Sequence, residues 1–434
     1  MSRFYMQMYF AFATIVTFTL CIILYQVYFI VFHNTKHFSN VPIILWWTSF
    51  GSNGILQNCG NFHCYFTSNR SFQHHKNIKS ILFYGSDFRV DDLPTWKFND
   101  IPWGLLHEES PRNNPILVHQ KALNLFTYSS TFSRFSDVPL TLADLPGRTE
   151  LLSKKYFVST EEKTTLTHTK QLAPLLYIQS DCNTASNRDT YVTELMKYIR
   201  VDSYGTCLNN IQLDKRLKEN YLEILNSEDF LSFIANYKFT IAFENAICYD
   251  YITEKLWRSL MVGSIPVYYG SPSFKDWLPN NMSAISTLDF KDPKSLANYL
   301  LKLSENETEY NKYLLHKLTD NYEIENKILK DALEKKEEFL RKDFGNYVEE
   351  FECFVCKNIQ NTRKTKVADT EHYNCPLPTN PLTNEIDYNN WWTKQWNLEK
   401  CGAKMLSYYL QNNLTINTRT FENDKRKLYD TNKC

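Results

Sequence analysis

The sequence predicts an α/β protein in which two successive Rossmann-like units face each other across a cleft. The chain has 434 residues, which is too many for one compact core. Along its middle part, short apolar strands alternate with helix-length segments, a pattern typical of parallel sheets covered by helices. We expect six parts: a cytosolic tail at 1–7, a transmembrane signal anchor at 8–32, a stem at 33–40, a first unit at 41–165, a second unit at 166–345 and a cysteine-rich tail at 346–434.

The charge composition argues against a nucleic-acid partner. Lysine plus arginine and aspartate plus glutamate each number 48, so the formal net charge is zero. A nucleic-acid-binding protein needs a surplus of basic residues on one face. The composition therefore points away from that class.

The N-terminal region is apolar enough to cross a membrane. Phe4–Phe32 contains 29 consecutive residues without a charge, and about 20 apolar residues span a bilayer core. Arg3 and the α-amine on the short flank favour a cytosolic N-terminus. We therefore predict a single-pass type II protein of the Golgi or endoplasmic reticulum membrane with a lumenal body; a cleaved signal peptide is the alternative.

Sequons and cysteines agree with a lumenal body. Four glycosylation sequons begin at Asn69, Asn281, Asn306 and Asn413. Ten cysteines follow the apolar run, an even number that predicts disulfides without fixing their connectivity. Zinc binding by Cys353-x-x-Cys356 with His372 is the alternative. The candidates for disulfides are Cys59, Cys64, Cys182, Cys207, Cys353, Cys356, Cys375 and Cys401.

The first unit is predicted from apolar runs separated by turn-forming residues. Its strands are expected at Pro42–Thr48, Ser80–Gly85 and Leu123–Thr127. Residues 158–172 are polar and lack periodicity, which is typical of a linker between domains.

The second unit is predicted from alternating strand and helix patterns. Strands are expected at Pro174–Gln179, Phe239–Phe243 and Gly263–Tyr269, and helices at 187–199, 226–236, Ser295–Leu303 and Tyr322–Lys342.

A polar loop follows the strand Phe239–Phe243, and ligands of α/β proteins bind where such strands end. A carboxylate beside a lysine at that edge suits a sugar hydroxyl next to a phosphate. The polar residues of this loop are Glu244, Asn245, Tyr251, Glu254 and Lys255.

The stretch 242–277 resembles the donor-binding motif of the α1,3-fucosyltransferases, glycosyltransferase family 10. The family pattern is roughly FEN, then (D/G)Y(V/I)TEK, then glycine, then PV(Y/V)xG. Here it reads FEN at 243–245, DYITEK at 250–255, Gly263 and PVYYG at 266–270. The resemblance covers about 41–358 and implies an inverting fucosyltransferase of the two-domain GT-B architecture with GDP-fucose as donor.

The resemblance also implies roles for side chains of the second unit. It places Lys255 and Arg188 on the diphosphate and Glu254 on the sugar hydroxyls, with Asn245 and Tyr251 as further donor contacts. Arg188 could instead pair on its helix, and Tyr251 could be a core residue. The sequence contains no Asp-x-Asp, with which many glycosyltransferases hold a metal ion. We expect no metal or other cofactor, since side-chain cations and helix N-termini can stabilise the leaving diphosphate.

The general base is expected in the first unit, because inverting transfer requires the acceptor hydroxyl to lose its proton. Two adjacent carboxylates, Glu108 and Glu109, lie just before a Ser-Pro pair. In the family the glutamate of a Glu-Ser-Pro element is the proposed base, so the resemblance favours Glu109, with Glu108 as the second candidate. His107 could tune or replace this base.

The acceptor stays open at the level of sequence. Details such as Ala246 and the cysteine-rich extension resemble the branch named both α1,3-fucosyltransferases 10 and 11 and protein O-fucosyltransferases. That branch implies a glycoprotein acceptor, with fucose added either to a GlcNAc 3-hydroxyl or to Ser/Thr of a folded secreted domain. A membrane-anchored sugar-binding or chaperone-like protein is the alternative, but it predicts a decayed donor motif.

Overall fold

The computed structural model describes residues 41–94, 101–214, 217, 227–341, 346–360 and 367–434. The predicted cytosolic tail, anchor and stem lie outside these residues. Within the described ranges, each helix is too short or too polar to cross a bilayer.

The first sheet has six strands in the order β2-β3-β1-β4-β5-β6. Its pairings are parallel except for the β2–β3 hairpin. Both faces are covered, which explains why β1 and β5 are buried along their whole length. The strands are β1 Ile43–Trp46, β2 Ile55–Cys59, β3 Phe62–Thr67, β4 Ile78–Tyr84, β5 Trp103–His107 and β6 Tyr128–Thr131.

The second sheet has five parallel strands in the order β11-β10-β9-β7-β8. Apolar side chains alternate between two clusters, one on each face. The strands are β7 Leu175–Tyr177, β8 Val201–Ser203, β9 Phe239–Phe243, β10 Ile265–Tyr269 and β11 Ile285–Ser286. Two helix-covered sheets confirm the α/β prediction.

Helices connect the strands and form the C-terminal part. In the described ranges they are α1 Gln120–Leu123, α2 Arg148–Leu152, α3 Thr160–Thr169, α4 Arg188–Leu195, α5 Glu228–Ala235, α6 Glu254–Val262, α7 Pro293–Glu305, α8 Glu307–Lys312, α9 Leu315–Leu318, α10 Lys327–Arg341, α11 Tyr347–Gln360, α12 Trp391–Gln411 and α13 Thr418–Asp430.

The strand predicted at Leu123–Thr127 is wrong. Leu123 ends α1, and the strand β6 begins only at Tyr128. Leu123 lies at the end of α1 and Phe126 in the turn that follows, and both side chains are buried in the core. A short apolar run does not distinguish these two ways of burying its side chains.

The segment 158–172, predicted as a linker between the units, lies between β6 of the first sheet and β7 of the second, and it contains the helix α3. Ser159 caps the helix by accepting a hydrogen bond from the Glu162 amide. Lys163 is fully buried and donates to the Gly263 carbonyl, so α3 docks against the end of α6. Most side chains of α3 face solvent and are polar. The sequence of this helix therefore has no apolar periodicity from which it could be predicted.

The cysteine-rich tail returns to the first sheet and covers both of its faces. On one face, Phe351 and Val355 of α11 pack with Trp46. On the other face, Trp392 and Trp396 of α12 pack in the core built around β1, β4 and β5. The tail therefore forms part of the first unit's core.

Five disulfides use all ten cysteines that follow the apolar N-terminal run, which confirms the disulfide prediction. Cys353 and Cys356 pair with separate partners, so the zinc alternative is wrong. Cys248 and Cys434, which were not among the candidates, are paired as well. The bonds are Cys59–Cys353, Cys64–Cys356, Cys182–Cys207, Cys248–Cys375 and Cys401–Cys434.

The four sequon asparagines are all exposed, as attachment of a glycan would require. They are Asn69, Asn281, Asn306 and Asn413.

Candidate active site

The acceptor-side carboxylates follow directly after the buried strand β5. Glu108 accepts a hydrogen bond of 3.0 Å from the hydroxyl of Tyr84, which ends the neighbouring strand β4. Burial raises the pKa of Glu108. Burial also raises the pKa of Glu109, while the positive charge of Lys255 opposes the rise. Two half-buried carboxyl groups with raised pKa values suit proton transfer near neutral pH.

His107, the last residue of β5, is not available as a base. Its ring is fully buried, and both ring nitrogens are hydrogen-bonded, to Ser86 and to Tyr373. Burial lowers the pKa of His107 to about 3. The ring is therefore neutral and serves as an internal support.

The donor loop is anchored by Glu244, a buried carboxylate at the end of β9. Its two oxygens accept hydrogen bonds from the Thr253 amide at 2.9 Å and from the Thr253 hydroxyl at 2.7 Å. A Cβ atom at position 270 would lie 2.6 Å from the Glu244 Cγ, so Gly270 is needed for this close approach. Residues 244–253 thus form a closed loop that leads into α6.

Lys255 lies in the first turn of α6 between two carboxylates. Its Nζ is 3.0 Å from Glu254 and 3.5 Å from Glu244, and its side chain is 14% exposed. Burial lowers the pKa of Lys255, but the two carboxylates outweigh it, and the pKa is raised overall. The lysine is therefore a fixed positive charge at a helix N-terminus, which favours an anionic ligand.

Glu254 keeps its negative charge for the corresponding reason. Burial alone would raise the pKa of Glu254. The positive charges of Lys255 and Arg258 have a larger, opposite effect, so its pKa lies below the usual value. A charged carboxylate here accepts hydrogen bonds and suits sugar hydroxyl donors.

Arg188, the first residue of α4, is buried beneath the donor loop. It donates to the Phe243 carbonyl at 2.8 Å and to the Asp181 carbonyl at 2.8 Å. Among the described residues, its Nε has no hydrogen-bond partner. The guanidinium therefore holds two loops together, and its charge also acts on Lys255.

Asn245 and Tyr251 lie on the same closed loop. The Asn245 carbonyl accepts from the Ser186 amide at 3.0 Å. The Tyr251 ring is 2% exposed and packs edge-on against Phe132, with ring centroids 5.1 Å apart. Both residues thus tie the donor loop to its neighbours.

Several polar contacts join the loops of the two sheets. Asp144, from the first unit, accepts a hydrogen bond of 3.0 Å from the Glu254 amide. Asp144 is exposed, and partial desolvation by the surrounding loops together with the charge of Glu254 raises its pKa. Arg134, which follows β6, forms an ion pair of 2.6 Å with Asp250. Sequence reasoning missed these residues, because neither Asp144 nor Arg134 belongs to a recognisable motif.

Four of the unpartnered buried polar atoms in the described part of the chain belong to the loops of this region. Atoms of this kind cost free energy unless a ligand pairs with them, so they mark where a polar substrate would bind. Among the described residues they include Glu108 Oε2, Ser110 Oγ, Arg188 Nε and Asn245 Oδ1. Glu109, Lys255 and Glu254 also interact electrostatically across the two units. The structure thus brings the predicted base and the predicted donor contacts into one cleft.

A cavity of about 580 Å³ lies elsewhere, between α2 and the segment after α9. It is lined by Arg148, Leu152, His316 and Tyr322, among others, and by none of the predicted catalytic or donor-binding residues. Its position therefore adds nothing to the assignment of the catalytic cleft.

Comparison with known families matches both halves of the chain. Residues 39–143 match the family described as "Fucosyltransferase, N-terminal". Residues 167–372 match "Glycosyltransferase family 10 (fucosyltransferase) C-term".

Curated relatives and a solved structure are similar to most of the chain. "GDP-fucose protein O-fucosyltransferase 3" of Xenopus laevis is 44% identical over 405 residues, which cover 89% of this chain and 85% of the relative. The Homo sapiens protein of that name is 42% identical over 397 residues, covering 88% and 82%. A crystal structure of an α1,3-fucosyltransferase with GDP-fucose matches at 18% identity and a TM-score of 0.41, covering 70% of this chain and 93% of that one.

Proposed function

We propose that this chain, which belongs to glycosyltransferase family 10 and is a fucosyltransferase, transfers fucose from GDP-fucose to a Ser or Thr hydroxyl of a folded secreted protein. The donor and the protein acceptor are those in the names of its relatives. The observation that carries the proposal is that loops of the two sheets meet here: Asp144 of the first unit accepts from the Glu254 amide at 3.0 Å, and the charges of Lys255 and Glu254 act on Glu109. We place the two sheets in the GT-B architecture.

In this reaction Glu109 takes the proton of the acceptor hydroxyl. The acceptor oxygen forms a bond to C1 of fucose with inversion, while the bond from C1 to the diphosphate oxygen breaks and GDP leaves. The raised pKa of Glu109 brings its basicity closer to that needed near neutral pH. Because the base must be ionised, turnover falls as pH drops through that pKa.

The negative charge that develops on the departing diphosphate needs a fixed cation. Lys255 meets this requirement, since neighbouring carboxylates keep it protonated at the N-terminus of α6. Glu254 accepts hydrogen bonds from sugar hydroxyls, and Asn245 and Tyr251 complete the donor contacts. Arg188 contributes its charge from beneath the loop. We propose that no metal ion takes part.

The chain also has the features of a lumenal protein. Five disulfides and four exposed sequons suit the oxidising lumen of the secretory pathway. We propose that residues 8–32 anchor it in the Golgi or endoplasmic reticulum membrane with this body on the lumenal side.

Mass-spectrometric localisation of labelled fucose tests this function. The full chain in detergent is given isotopically labelled GDP-fucose, a chelator, folded secreted domains and complex N-glycopeptides. We expect label directly on Ser or Thr, with Glu109→Gln as the inactive control. Label on a glycan GlcNAc would replace the protein acceptor by a glycan. Absence of label on both acceptors would overturn transfer, and recovery only after a divalent metal is added would overturn the metal-free mechanism.

A further inference from the structure

A row of hydrogen bonds holds the loop that carries Glu109. Asn113 Nδ2 donates to Ser86 Oγ at 3.2 Å, and Ser86 Oγ lies 3.0 Å from His107 Nε2. The Tyr373 hydroxyl lies 2.5 Å from His107 Nδ1 and donates to the Glu109 carbonyl at 2.8 Å. The row therefore begins and ends within the loop 109–113.

The chemistry of these groups permits one complete set of donors and acceptors. The Glu109 carbonyl can only accept, so it receives the Tyr373 proton. His107 is neutral and has one N–H, which then donates from Nδ1 to the Tyr373 oxygen. Its Nε2 accepts from the Ser86 hydroxyl, which in turn accepts from Asn113. Every member is satisfied, and such networks order the groups they connect.

Packing fixes the two rings of this row. His107 and Tyr373 are stacked, with their planes 4° apart and their centroids 5.7 Å apart. A Cβ atom at position 85 would lie 2.3 Å from the His107 ring, so Gly85 is needed to seat it. Tyr373 also packs against Phe132 at 4.9 Å, the ring that contacts Tyr251 of the donor loop.

Tyr373 belongs to the C-terminal tail, which is attached to both units at this point. The Thr131 hydroxyl at the end of β6 donates to the His372 carbonyl at 2.6 Å. On the other side, the Tyr249 amide donates to the Asn374 carbonyl at 2.9 Å, and Cys375 is bonded to Cys248. The segment therefore crosses the cleft between the acceptor loop and the donor loop.

We propose that Tyr373 is a positioning residue for fucosyl transfer: through its hydroxyl, the C-terminal tail sets the backbone of Glu109 and aims its carboxylate at the acceptor. The inference rests on the proposed function, because it requires Glu109 to act on an acceptor hydroxyl. The tail lies outside the donor and acceptor loops in sequence. By this inference it contributes to turnover through its contact with Glu109.

The variant Tyr373→Phe tests this role, because it keeps the ring and removes the hydroxyl. Displacement of a reacting group by about 1 Å can cost on the order of 100-fold in rate, so we expect kcat to fall roughly 10- to 100-fold. The Kd of GDP-fucose should change less than about twofold, since the hydroxyl does not touch the donor loop. The full chain is used, with kcat and KM measured for both substrates and Kd measured by calorimetry.

Tyr310→Phe is the matched control. Tyr310 is equally buried, and its hydroxyl also donates to a backbone carbonyl, that of Lys238, remote from the cleft. We expect this variant to lose stability comparably and to keep kcat within about twofold of the wild type, since one buried hydrogen bond contributes about 1 kcal/mol. Melting temperatures of both variants verify that they are folded.

A double substitution separates positioning from a general structural effect. If Tyr373 acts through Glu109, adding Tyr373→Phe to Glu109→Gln should lower the residual turnover less than twofold, whereas in a Lys255→Arg background its full effect should persist. An active wild type with an unaltered Tyr373→Phe variant would overturn this inference alone. So would an equal loss in both backgrounds, or donor affinity that falls together with kcat. An inactive wild type would overturn the proposed function itself.

Discussion

The donor loop and the acceptor loop are held in place by opposite means. In the donor loop the contacts of Glu244 and Lys255 are local: Glu244 binds Thr253 nine residues away, and Lys255 pairs with its neighbour Glu254. In the acceptor loop they are remote: Tyr373 binds the Glu109 carbonyl from 264 residues away. The charged groups of the donor loop are thus placed by a short stretch of sequence, whereas the Glu109 backbone is placed only when the tail has returned to the first sheet.

The remote support extends beyond the loop itself. The buried Glu352 of α11 accepts from Trp46 Nε1 at 2.6 Å, across 306 residues, and from Ser52. Beside it, Phe50 stacks on Tyr84 with centroids 3.9 Å apart, and Tyr84 donates to Glu108. The tail therefore orders the acceptor side on more than one surface.

The largest effect is expected from Glu109→Gln, which removes the base and keeps the shape of the side chain. General acid–base catalysis typically contributes about 10²- to 10⁴-fold, so kcat should fall by roughly 10³. The affinity for GDP should stay within about twofold, because the donor loop has its own supports. Kinetics with calorimetry check this, and Glu161→Gln on the exposed face of α3 is the control. A variant that retains a tenth of the activity would remove Glu109 from its role.

Lys255→Ala should have the next largest effect, and it should act on the donor. Loss of one charge-stabilising group costs about 10²- to 10³-fold in comparable sites, and binding of GDP should weaken as well. The variant also leaves Glu244 buried beside no cation, so a lower melting temperature is expected.

Lys255→Arg and the exposed Lys302→Ala separate these contributions. The arginine variant keeps the charge and should recover part of the GDP affinity, and Lys302→Ala should match the wild type. Unaltered GDP affinity in Lys255→Ala would contradict the assignment to the diphosphate.

Removal of the disulfide between the tail and the donor loop should have an intermediate effect. The pair Cys248→Ala and Cys375→Ala should lower the free energy of unfolding by about 2–4 kcal/mol and kcat by roughly 10-fold, because the segment that carries Tyr373 loses its covalent bond to the donor loop. The disulfide Cys401–Cys434 joins only α12 to the C-terminus. Its removal by Cys401→Ala and Cys434→Ala should lower the stability and leave kcat unchanged. Chemical denaturation and kinetics measure both, and equal kcat in the two double variants would contradict the link.

The smallest effect is expected from Glu108→Gln. Its carboxylate accepts from Tyr84, and the proposed base is Glu109. We expect kcat to fall no more than about fivefold, whereas loss of a general base can lower kcat by up to about 10⁴-fold. Parallel measurement with Glu109→Gln ranks the two carboxylates, and a larger loss at Glu108 would reverse the assignment.

The same contrast between local and remote contacts explains what the sequence could predict. The strand Phe239–Phe243 was predicted at its observed ends, because it is apolar, short and followed by a polar loop. The donor residues on that loop could be named for the same reason, since ten residues contain both the anchor Glu244 and its partner Thr253. Local information was sufficient there.

Other features depend on contacts that no short window of sequence contains. Tyr373 and Asp144 look like ordinary residues until folding places them beside Glu109 and Glu254. The polar helix α3 was missed because its stabilising contacts are a cap and a single buried lysine rather than an apolar stripe. Disulfide pairing was likewise out of reach, since it follows from where the tail ends up.

The two disulfides of α11 can form only after most of the chain has been synthesised. Cys59 and Cys64 lie on the β2–β3 hairpin, and their partners Cys353 and Cys356 follow 294 and 292 residues later. At about 5–20 residues per second, the hairpin waits roughly 15 to 60 s for the helix to be made. In the oxidising lumen proposed for this chain, the two thiols of the hairpin have each other as near neighbours during that interval. The native pairs therefore form late in synthesis, a bond made earlier between the two hairpin thiols has to be exchanged, and a chain that ends before α11 leaves the hairpin without its native partners.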